Sequence, residues 1–373
     1  MRVLSLNAGS SSLKFAVWDV DTDERRVTAG VVDGIGQGTA SLALDGTTAA
    51  VTAGDVAAAV PIVLEALRGP APDAVGHRVV HGGAAYVGPQ RIDSALRAAL
   101  EALVPFAPLH QPAALAGIDA VAARFPDVPQ VACFDTAFHR RMPAVAQRLP
   151  LPRALWDAGI RRYGFHGLSY EWVVHALGDA ARGRVVIAHL GNGCSLAAVR
   201  DGVSVDTTMG FTPTGGVMMG TRTGDLDPGV LVHLLRTQGL DAAALERLVD
   251  RESGLRGVSG STADMRRLLA APDAPAREAV ELFCWIARRH VGALATTLGG
   301  LDALVFTGGI GEHAAPVRAE VCAGLEHLGV VVDASANARH APVVSTSDGR
   351  CVVRVVPTDE DRMIARHTRA VLG

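Results

Sequence analysis

The first residues suited to chemistry lie in a turn between two short apolar runs. Segment 7–14 reads NAGSSSLK and supplies an amide, a glycine, three hydroxyls and an ammonium group. An open backbone, hydroxyls and a point positive charge are what a polyphosphate and its metal ion require. Lys14 is the only lysine of the chain, although a solvated hairpin with a surface lysine would use the same residue types. The pattern slightly favours a phosphate-binding turn.

The same design recurs along the chain. Sliding the sequence by 182 residues places segment 184–201 over segment 2–19 without a gap, and six positions coincide, including Gly9 with Gly191. A third apolar run ends in the glycine-rich segment 307–312, TGGIGE. Two halves that each open with a phosphate-type hairpin predict a duplicated α/β domain that closes on a nucleotide.

Two arginines stand where an anion could reach them. Arg78 lies inside an apolar strand that ends in two glycines, and Arg222 lies in the glycine-rich loop 211–229. A planar guanidinium binds a carboxylate or a phosphate through two parallel hydrogen bonds. The alternatives are a structural partner for Arg78 and a flexible surface loop around Arg222. The glycine content and the loop length favour binding roles for both.

Other acids and a histidine follow apolar runs or glycines. Asp135 ends a buried strand, where α/β folds place site residues, although a helix N-cap would use the same residue. His166 lies between glycines, a position that suits a ligand contact or ordinary packing. Asp359, Glu360 and Asp361 follow a strand, and the acids suit a metal ion and a helix cap equally well.

Composition limits the class of protein. The 373 residues exceed one ordinary core, so two domains are expected. The hydrophobic content of 49%, the charged content of 20% and the net charge of −3 indicate a packed globular enzyme without affinity for nucleic acid. No apolar stretch reaches the ~20 residues of a membrane span. Five scattered cysteines and a first strand that begins next to Met1 predict a cytoplasmic protein with reduced thiols.

Strands and helices are expected to alternate. The opening hairpin should continue as a β-meander through residue 55. Further strands are expected near 74–81, 129–134, 304–307 and 352–356. Helices are expected over 56–67, 94–103, 113–124, 169–177, 231–236, 242–249, 278–298, 316–328 and 362–372. Residues 254–261 are expected to form a loop, and another helix should open at 264–266.

Eight motifs occur in one order along nearly the whole chain. They are NAGSSSLK at 7–14, GHRVVHGG at 76–83, FDTAFH at 134–139, YGFHG at 163–167, HLGNG at 189–193, MMGTR at 218–222, GGIGE at 308–312 and PTDE at 357–360. On these motifs the chain resembles the acetokinase family, within the superfamily of actin, heat-shock chaperones and sugar kinases.

The resemblance implies a fold and a reaction. The fold would be α/β, with two duplicated ribonuclease H-like (actin-like ATPase) domains, mixed sheets flanked by helices, and an active-site cleft between the domains. The N-terminal domain would comprise 1–140 and 362–373. The C-terminal domain, 141–361, would hold the nucleotide pocket and a homodimer interface. The reaction would be reversible in-line transfer of the γ-phosphoryl group of ATP to acetate, giving acetyl phosphate and ADP, with propionate or butyrate kinase as the alternative.

The resemblance also implies roles for individual residues. Asn7 and Glu360 would hold Mg²⁺, with Mn²⁺ as a substitute. Arg78 and Arg222 would grip the acetate carboxylate and the moving phosphoryl group. His166 would stabilise the transition state, with two further histidines nearby, His110 and His189.

Asp135 is the residue that the family pattern marks as the acid or base. Free acetate is already ionised near neutral pH, because its pKa is close to that of a side-chain carboxyl, ~4.3. Asp135 is therefore expected to orient Arg222 or a metal-bound water.

The resemblance assigns the remaining contacts as sets. The nucleotide and its phosphates would contact Ser12, Lys14, His189, Leu190, Gly191, Asn192, Gly193, Asp264, Met265, Arg266, Gly308, Gly309, Ile310, Gly311 and Glu312. The methyl group of acetate would contact Val80, Leu109, Phe165 and Pro213.

A few positions depart from the family pattern. Gln111 stands where Asn is usual, and segment 213–216 (PTGG) stands where the family usually has Leu-Glu-Gly. His313 replaces the Asn that commonly follows GGIGE. Asp361 replaces a second Glu. The acyl-chain preference and the nucleotide preference are therefore left open.

Overall fold

The chain folds into two compact units. The computed structural model describes residues 1–9, 11–21, 24–67, 70–108 and 110–373. The first unit comprises Met1–Phe138 with Asp359–Gly373, and the second comprises His139–Thr358. In the described residues, no helix combines the length and apolar character needed to cross a bilayer.

The first unit is built on one mixed sheet. Its strands, within the described residues, are β1 (Arg2–Ala8), β2 (Ser12–Val20), β3 (Glu24–Asp33), β4 (Ala40–Leu44), β5 (Thr47–Val51), β6 (Ala74–Val79), β7 (Gln90–Arg91) and β8 (Gln130–Phe134), in the spatial order β5-β4-β3-β2-β1-β6-β8-β7. The antiparallel meander β1–β5 confirms the prediction for the first 55 residues. β6 and β8 extend the sheet in parallel with β1.

The second unit repeats the core of this arrangement. Its strands are β9 (Arg184–Leu190), β10 (Cys194–Arg200), β11 (Val203–Thr207), β12 (Ala303–Thr307) and β13 (Val352–Val355), in the order β11-β10-β9-β12-β13. Three antiparallel strands are followed by two parallel ones, as in β3-β2-β1-β6-β8. The predicted α/β duplication is confirmed by this order.

The duplication extends to single hydrogen bonds. In the first unit Arg2 N donates to Asp73 Oδ2 at 2.6 Å, and Asp73 N donates to Arg2 O at 2.8 Å. In the second unit Arg184 N and Asp302 form the same reciprocal pair, at 2.8 Å in both directions. Each aspartate directly precedes the parallel strand beside the first hairpin strand. This shared joint fixes where that parallel strand begins in both units.

The helices cover the sheet faces. In chain order they are α1 (Val56–Ala66), α2 (Ser94–Ala102), α3 (Gln111–Arg124), α4 (Ala144–Gln147), α5 (Arg153–Asp157), α6 (Gly167–Leu177), α7 (Pro228–Thr237), α8 (Ala242–Arg247), α9 (Gly254–Ser259), α10 (Met265–Ala270), α11 (Ala274–Leu298), α12 (Gly308–His313), α13 (Ala315–Cys322), α14 (Ala334–Ala338) and α15 (Glu360–Leu372).

Burial on both sheet faces explains the continuous apolar runs of the strands. Leu4 and Leu6 belong to a core that also contains residues of α1 and α3. Val3 belongs to a second cluster with Ala365 of α15. Because successive side chains of a strand point to opposite faces, β1 is buried on both. Its end, where Asn7 lies, is therefore held from two sides.

Several boundaries correct the sequence-based predictions. Residues 254–259 form α9 rather than a loop. The segment expected as one helix over 316–328 ends as α13 at Cys322, and Gly324 with φ of 84° follows before a 3₁₀ turn over Glu326–Leu328. The TGGIGE turn is helical from Gly308, as α12.

Two buried histidines make stability depend on pH. Burial lowers the pKa of His77 and of His139 to about 4, and each ring is hydrogen-bonded, His77 to Gln130 and His139 to Ser204 and Phe165 O. Between pH 6.5 and 4 the unfolded chain binds protons at these positions and the folded chain does not. Stability that is present above pH 6.5 is therefore lost as the pH falls towards 4.

We expect the free energy of unfolding to fall by roughly 2 kcal/mol per histidine between pH 7.5 and pH 5. Urea unfolding at both pH values measures this loss. His77→Gln should show a shallower pH dependence, whereas the exposed control His327→Gln should match the parent chain. A parent chain whose stability does not change over this range would contradict the prediction.

Candidate active site

The first unit fixes a guanidinium at the ends of two parallel strands. Arg78, in β6, donates to Asp135 Oδ2 from Nε at 3.0 Å and from Nη2 at 2.6 Å. β6 and β8 pair in parallel, and Asp135 N donates to Val79 O just beyond β8. The Arg78 side chain is 14% exposed and that of Asp135 is fully buried. The structure thus gives Asp135 a buried arginine as its partner rather than a helix cap.

The charge on Arg78 is protected by its surroundings. Burial alone would lower the pKa of Arg78, but the Asp135 and Glu360 carboxylates outweigh it and hold that pKa above its ordinary value. The sequence-based hypothesis named Arg222 or a metal-bound water as the group that Asp135 orients. The structure shows Arg78 as one partner of Asp135, so Asp135 holds a permanent cation in place, and its action on Arg222 or a metal-bound water stays a prediction.

Asn7 and Glu360 meet beside this pair. Asn7 Nδ2 donates to Glu360 Oε2 at 2.7 Å, and Arg78 Nη1 donates to Asn7 Oδ1 at 3.2 Å. Asn7 lies near the end of β1, and Glu360 is the first residue of α15. Two residues 353 positions apart, both predicted as metal ligands, are therefore in direct contact.

The three acids after β13 have separate environments. Asp359 caps α15 by accepting from Arg362 N at 3.2 Å, and Glu360 faces Asn7. Burial, together with the neighbouring Glu360 carboxylate, raises the pKa of Asp361 to about 7. The helix cap is thus observed at Asp359, whereas the metal-binding alternative for this segment stays a prediction.

This donor set fits a magnesium ion. Mg²⁺ prefers oxygen ligands and is held by one or two carboxylates, with water and substrate phosphates completing its shell. Asn7 and Glu360 offer an amide oxygen and a carboxylate, and Asp361, whose pKa is raised by burial and then by the Glu360 charge, adds a second carboxyl group in the next residue. Within the described part of the chain there is no cluster of three or more His, Cys, Asp or Glu residues that could hold a metal unaided.

The opening turn places Lys14 opposite Asn7. The two residues are register partners in the β1–β2 ladder, and Lys14 is exposed. The Lys14 charge contributes to the environment of Asp361. Ser12 begins β2, and its carbonyl accepts from Gly9 N at 2.8 Å. The predicted phosphate contacts are therefore on an ordered hairpin, next to the Asn7–Glu360 pair.

In the second unit two histidine rings are stacked. The ring centroids of His166 and His189 are 4.3 Å apart, with an angle of 23° between the ring planes. His166 Nδ1 contacts Ser195 Oγ at 2.8 Å, and His189 Nδ1 contacts Ser169 Oγ at 2.8 Å. His166 adopts a left-handed backbone, with φ of 59°, which is uncommon outside glycine and often marks a functional site.

His166 and Arg222 converge at Gly193. A β-carbon on Gly193 would lie 3.2 Å from His166 Nε2 and 3.5 Å from Arg222 Nη1. Arg222 Nη1 also donates to Pro213 O at 3.0 Å. The absence of a side chain at Gly193 leaves room for the His166 imidazole and the Arg222 guanidinium beside the HLGNG turn. Three motifs that are far apart in sequence thus supply one small polar region.

The chain from β12 into α12 has the features of a phosphate-binding loop. Glu312 Oε1 accepts from Gly308 N at 2.9 Å and from Thr358 N at 3.1 Å. A β-carbon on Gly308 would lie 3.2 Å from His189 Nε2. Thr307 is fully buried, and its Oγ1 has no hydrogen-bond partner within the described residues. A polar atom left unsatisfied beside a bare backbone fits a nucleotide phosphate as its partner.

Comparison with known proteins shows the family of the chain. The model of the acetokinase family matches residues 2–366. The chain belongs to the acetokinase family. An acetate kinase from Methylocella silvestris is 46% identical over 99% of this chain and 98% of its own length, and one from Rhodopseudomonas palustris (strain CGA009) is 47% identical over 98% and 97%.

Solved structures give the same family. The crystal structure of Porphyromonas gingivalis acetate kinase has a TM-score of 0.89 and 37% identity, with full coverage of both chains. A propionate kinase from Francisella tularensis has a TM-score of 0.92 and 33% identity, also with full coverage of both chains. Both solved proteins share the fold of this chain, and their names differ in the carboxylic acid, acetate or propionate.

Other residues assigned through the acetokinase resemblance have mixed placements. Asp264 caps α10, Met265 is buried, and the Arg266 side chain is 88% exposed. In the methyl-group set, Val80 and Phe165 are buried and Pro213 is partly buried, in different units. Leu109 lies outside the described residues. The roles of these two sets stay predictions.

Sequence reasoning missed the serines that hold the two histidines. Ser195 also accepts or donates at 2.5 Å with the Tyr170 hydroxyl, and Ser169 contacts the Thr358 hydroxyl at 2.9 Å. The available signals were the three-residue spacing of Ser169 from His166 and the alternation along β10. Neither signal distinguishes these serines from others on the same elements.

The buried Arg78–Asp135 pair has an exposed counterpart that makes a matched control. Arg97 binds Asp119 through Nε and Nη2 at 2.8 and 2.7 Å, and the Asp119 side chain is 55% exposed. Removing one partner of a buried pair leaves an uncompensated charge, so Asp135→Asn should lower the free energy of unfolding by about 3 kcal/mol.

Asp119→Asn should lower the free energy of unfolding by less than ~1 kcal/mol, because water solvates the remaining arginine. Urea unfolding of both variants at pH 7.5 tests the comparison. Equal losses in the two variants would show that the Arg78–Asp135 pair is not effectively buried.

Proposed function

We propose that this chain transfers the γ-phosphoryl group of ATP to acetate, forms acetyl phosphate and ADP, and also catalyses the reverse reaction. The observation that carries the proposal is the Arg78 guanidinium, which Asp135 holds rigidly beside Asn7 and Glu360. The relatives named as acetate kinases support the choice of reaction.

The chemical problem is repulsion between two anions. Acetate is ionised near neutral pH, and it must attack a polyphosphate. Catalysis of phosphoryl transfer consists mostly of positioning and charge stabilisation. Arg78 and Arg222 supply planar cations for the carboxylate and the moving phosphoryl group. His166, whose ring is held through Nδ1 by Ser195, would donate from Nε2 to the moving phosphoryl group.

The same argument gives Asp135 a positioning role. A base is hardly needed to ionise a substrate that is already an anion. Asp135 accepts two hydrogen bonds from Arg78, which fixes the plane of the guanidinium. It would therefore act through Arg78 and not by taking a proton from acetate.

Asn7 and Glu360 would hold Mg²⁺, and the ion would supply charge neutralisation at the phosphates. Ser12 and Lys14 would contact the phosphates from the opening hairpin. The turn at 189–193, the start of α10 and the start of α12 would bind the rest of the nucleotide. The Thr307 hydroxyl, which has no hydrogen-bond partner among the described residues, supports the last of these assignments.

The acyl-chain preference is the point at which a second candidate enters. The similarity to the Francisella tularensis propionate kinase structure favours propionate as an alternative acceptor. Thr214 and Gly215 also differ from the usual family pattern near the predicted methyl pocket. Acetate remains the primary substrate in our proposal because the relatives named above with 46–47% identity are acetate kinases.

Trapping the acyl phosphate with hydroxylamine tests the reaction directly. With ATP and Mg²⁺ we expect acetate to give the highest kcat/KM, with propionate lower and butyrate lower still. A higher kcat/KM for propionate would reassign the enzyme to the alternative. No hydroxamate from any of the three acids would contradict a carboxylate kinase.

We also propose that the protein forms a homodimer through α7. No residue of α7 is buried, although its sequence, PGVLVHLLRT, is mostly apolar. Val230, Val232 and Leu235 are 40–43% exposed, and Leu226, just before the helix, is 44% exposed. An apolar helix that is exposed to this extent is typical of an interaction site. A second copy of the chain is the partner that the family resemblance implies.

Charged substitutions on α7 test the dimer. Val230→Asp and Leu235→Asp together should convert a species of twice the chain mass into one of the chain mass in light scattering. Val27→Asp, at a similarly exposed position of the first unit, serves as the control and should leave the mass unchanged. A parent chain that is monomeric, or a double variant that remains dimeric, would contradict the assignment to α7.

The proposed location is the cytoplasm. All five cysteines are buried and none is in a disulfide, as the sequence predicted. Burial raises the pKa of Cys194, Cys284, Cys322 and Cys351 to about 12, so these thiols stay protonated and unreactive at neutral pH. Such thiols suit the compartment in which ATP and a reactive acyl phosphate are handled.

A further inference from the structure

The segment that follows α8 is hydrogen-bonded to the loop that carries Arg222. Residues Leu248–Glu252 form a single π-helical turn, an uncommon conformation that is frequent at functional sites. The Arg222 loop itself contains little regular structure, apart from a turn in which Met219 N donates to Arg222 O at 3.1 Å. The loop therefore depends on its neighbour for its shape.

Both flanks of Arg222 are bonded to this neighbour. Thr223 N donates to Val249 O at 3.0 Å, and Ser253 N donates to Thr221 O at 3.1 Å. Two further backbone bonds, from Leu255 N to Met219 O at 2.9 Å and from Arg256 N to Gly220 O at 3.0 Å, continue the contact into α9.

The approach is close enough to require a glycine. Gly254 has φ of 64°, and a β-carbon there would lie 2.2 Å from Met219 O and 2.8 Å from Arg222 O. Any side chain at this position would push the Arg222 backbone away. The two segments are therefore closely packed at Gly254, next to the Arg222 backbone.

Asp250 connects the two ends of the loop. Its side chain accepts from the Thr214 hydroxyl at 2.5 Å, and its backbone carbonyl accepts from the Thr221 hydroxyl at 2.9 Å. Thr214 directly follows Pro213, whose carbonyl accepts a hydrogen bond from Arg222 Nη1. One residue thus fixes the backbone that carries Arg222 and also the segment that accepts its guanidinium.

We propose that Asp250 is a positioning residue for Arg222, acting through the Thr214 and Thr221 hydroxyls. The inference rests on the proposed function of Arg222 in phosphoryl transfer. The inference also gives a role to Thr214, which lies in the segment 213–216 that differs from the usual family sequence. The Thr214 hydroxyl is what the Asp250 carboxylate binds, so the departure from the pattern creates this link.

The test compares variants in two backgrounds by the hydroxamate assay. Asp250→Ala should lower kcat roughly tenfold or more, because a misplacement of about 1 Å costs that much in a positioned reaction, while the KM for ATP stays the same. Asp250→Asn keeps an acceptor oxygen for Thr214 and should remain within about threefold of the parent. Asp241→Asn, which alters the exposed cap of α8, is the matched control and should match the parent.

In the Arg222→Lys background the loss should disappear. Lysine lacks the planar guanidinium that donates to Pro213 O. Adding Asp250→Ala to Arg222→Lys should therefore change kcat less than twofold. A tenfold loss in both backgrounds would show that Asp250 acts independently of Arg222 and would overturn the inference. So would full activity of Asp250→Ala in the parent background.

A structural readout separates this inference from the proposed function. A parent chain that gives no hydroxamate contradicts the function alone. In that case a crystal structure of Asp250→Ala decides whether Asp250 positions Arg222. We expect the Arg222 Nη1–Pro213 O contact to be lost, and a contact retained at about 3 Å would overturn the inference.

Discussion

A buried guanidinium that stays charged is the constraint on which the first unit depends. Arg78 lies among β-strands that are apolar on both faces, and an unpaired charge there would be costly. Asp135 removes that cost through two hydrogen bonds, and Glu360 adds a second negative charge nearby. The same contacts leave Nη1 bonded to Asn7. The arrangement that makes the arginine tolerable to the fold also orders the residues predicted to bind the metal.

The duplicated sheet explains why chemistry recurs at matching places. Asn7 and His189 lie near the ends of β1 and β9, the first hairpin strands of the two units. Arg78 and Thr307 lie at the ends of β6 and β12, the parallel strands beside them. Reciprocal bonds of Arg2 with Asp73 and of Arg184 with Asp302 set the start of those parallel strands. Each unit therefore has a polar turn and a polar strand end, and the residues at these two places differ between the units.

The sequence predicted the elements better than the contacts. Apolar runs and glycine turns located the meander, and family motifs named Asn7 with Glu360, which proved to be in contact. Residues 254–259 were missed because three glycines and two serines in 254–261 resemble a loop, whereas hydrogen bonds to Met219 and Gly220 hold them as a helix. The pairing of Arg78 with Asp135 in particular was not named, since no periodicity relates two strand ends that are 57 residues apart. Such contacts depend on tertiary packing, which local patterns do not contain.

Catalysis should require a planar cation held by Asp135. Arg78→Ala removes the guanidinium but leaves the Asp135 carboxylate that would bind a replacement. The rate of acetyl phosphate formation by this variant can be measured with added guanidinium chloride, and with methylammonium chloride as the control cation. We expect saturable rescue of roughly tenfold or more by guanidinium and none by methylammonium. Equal effects of the two cations, or near-normal activity without either, would contradict this requirement.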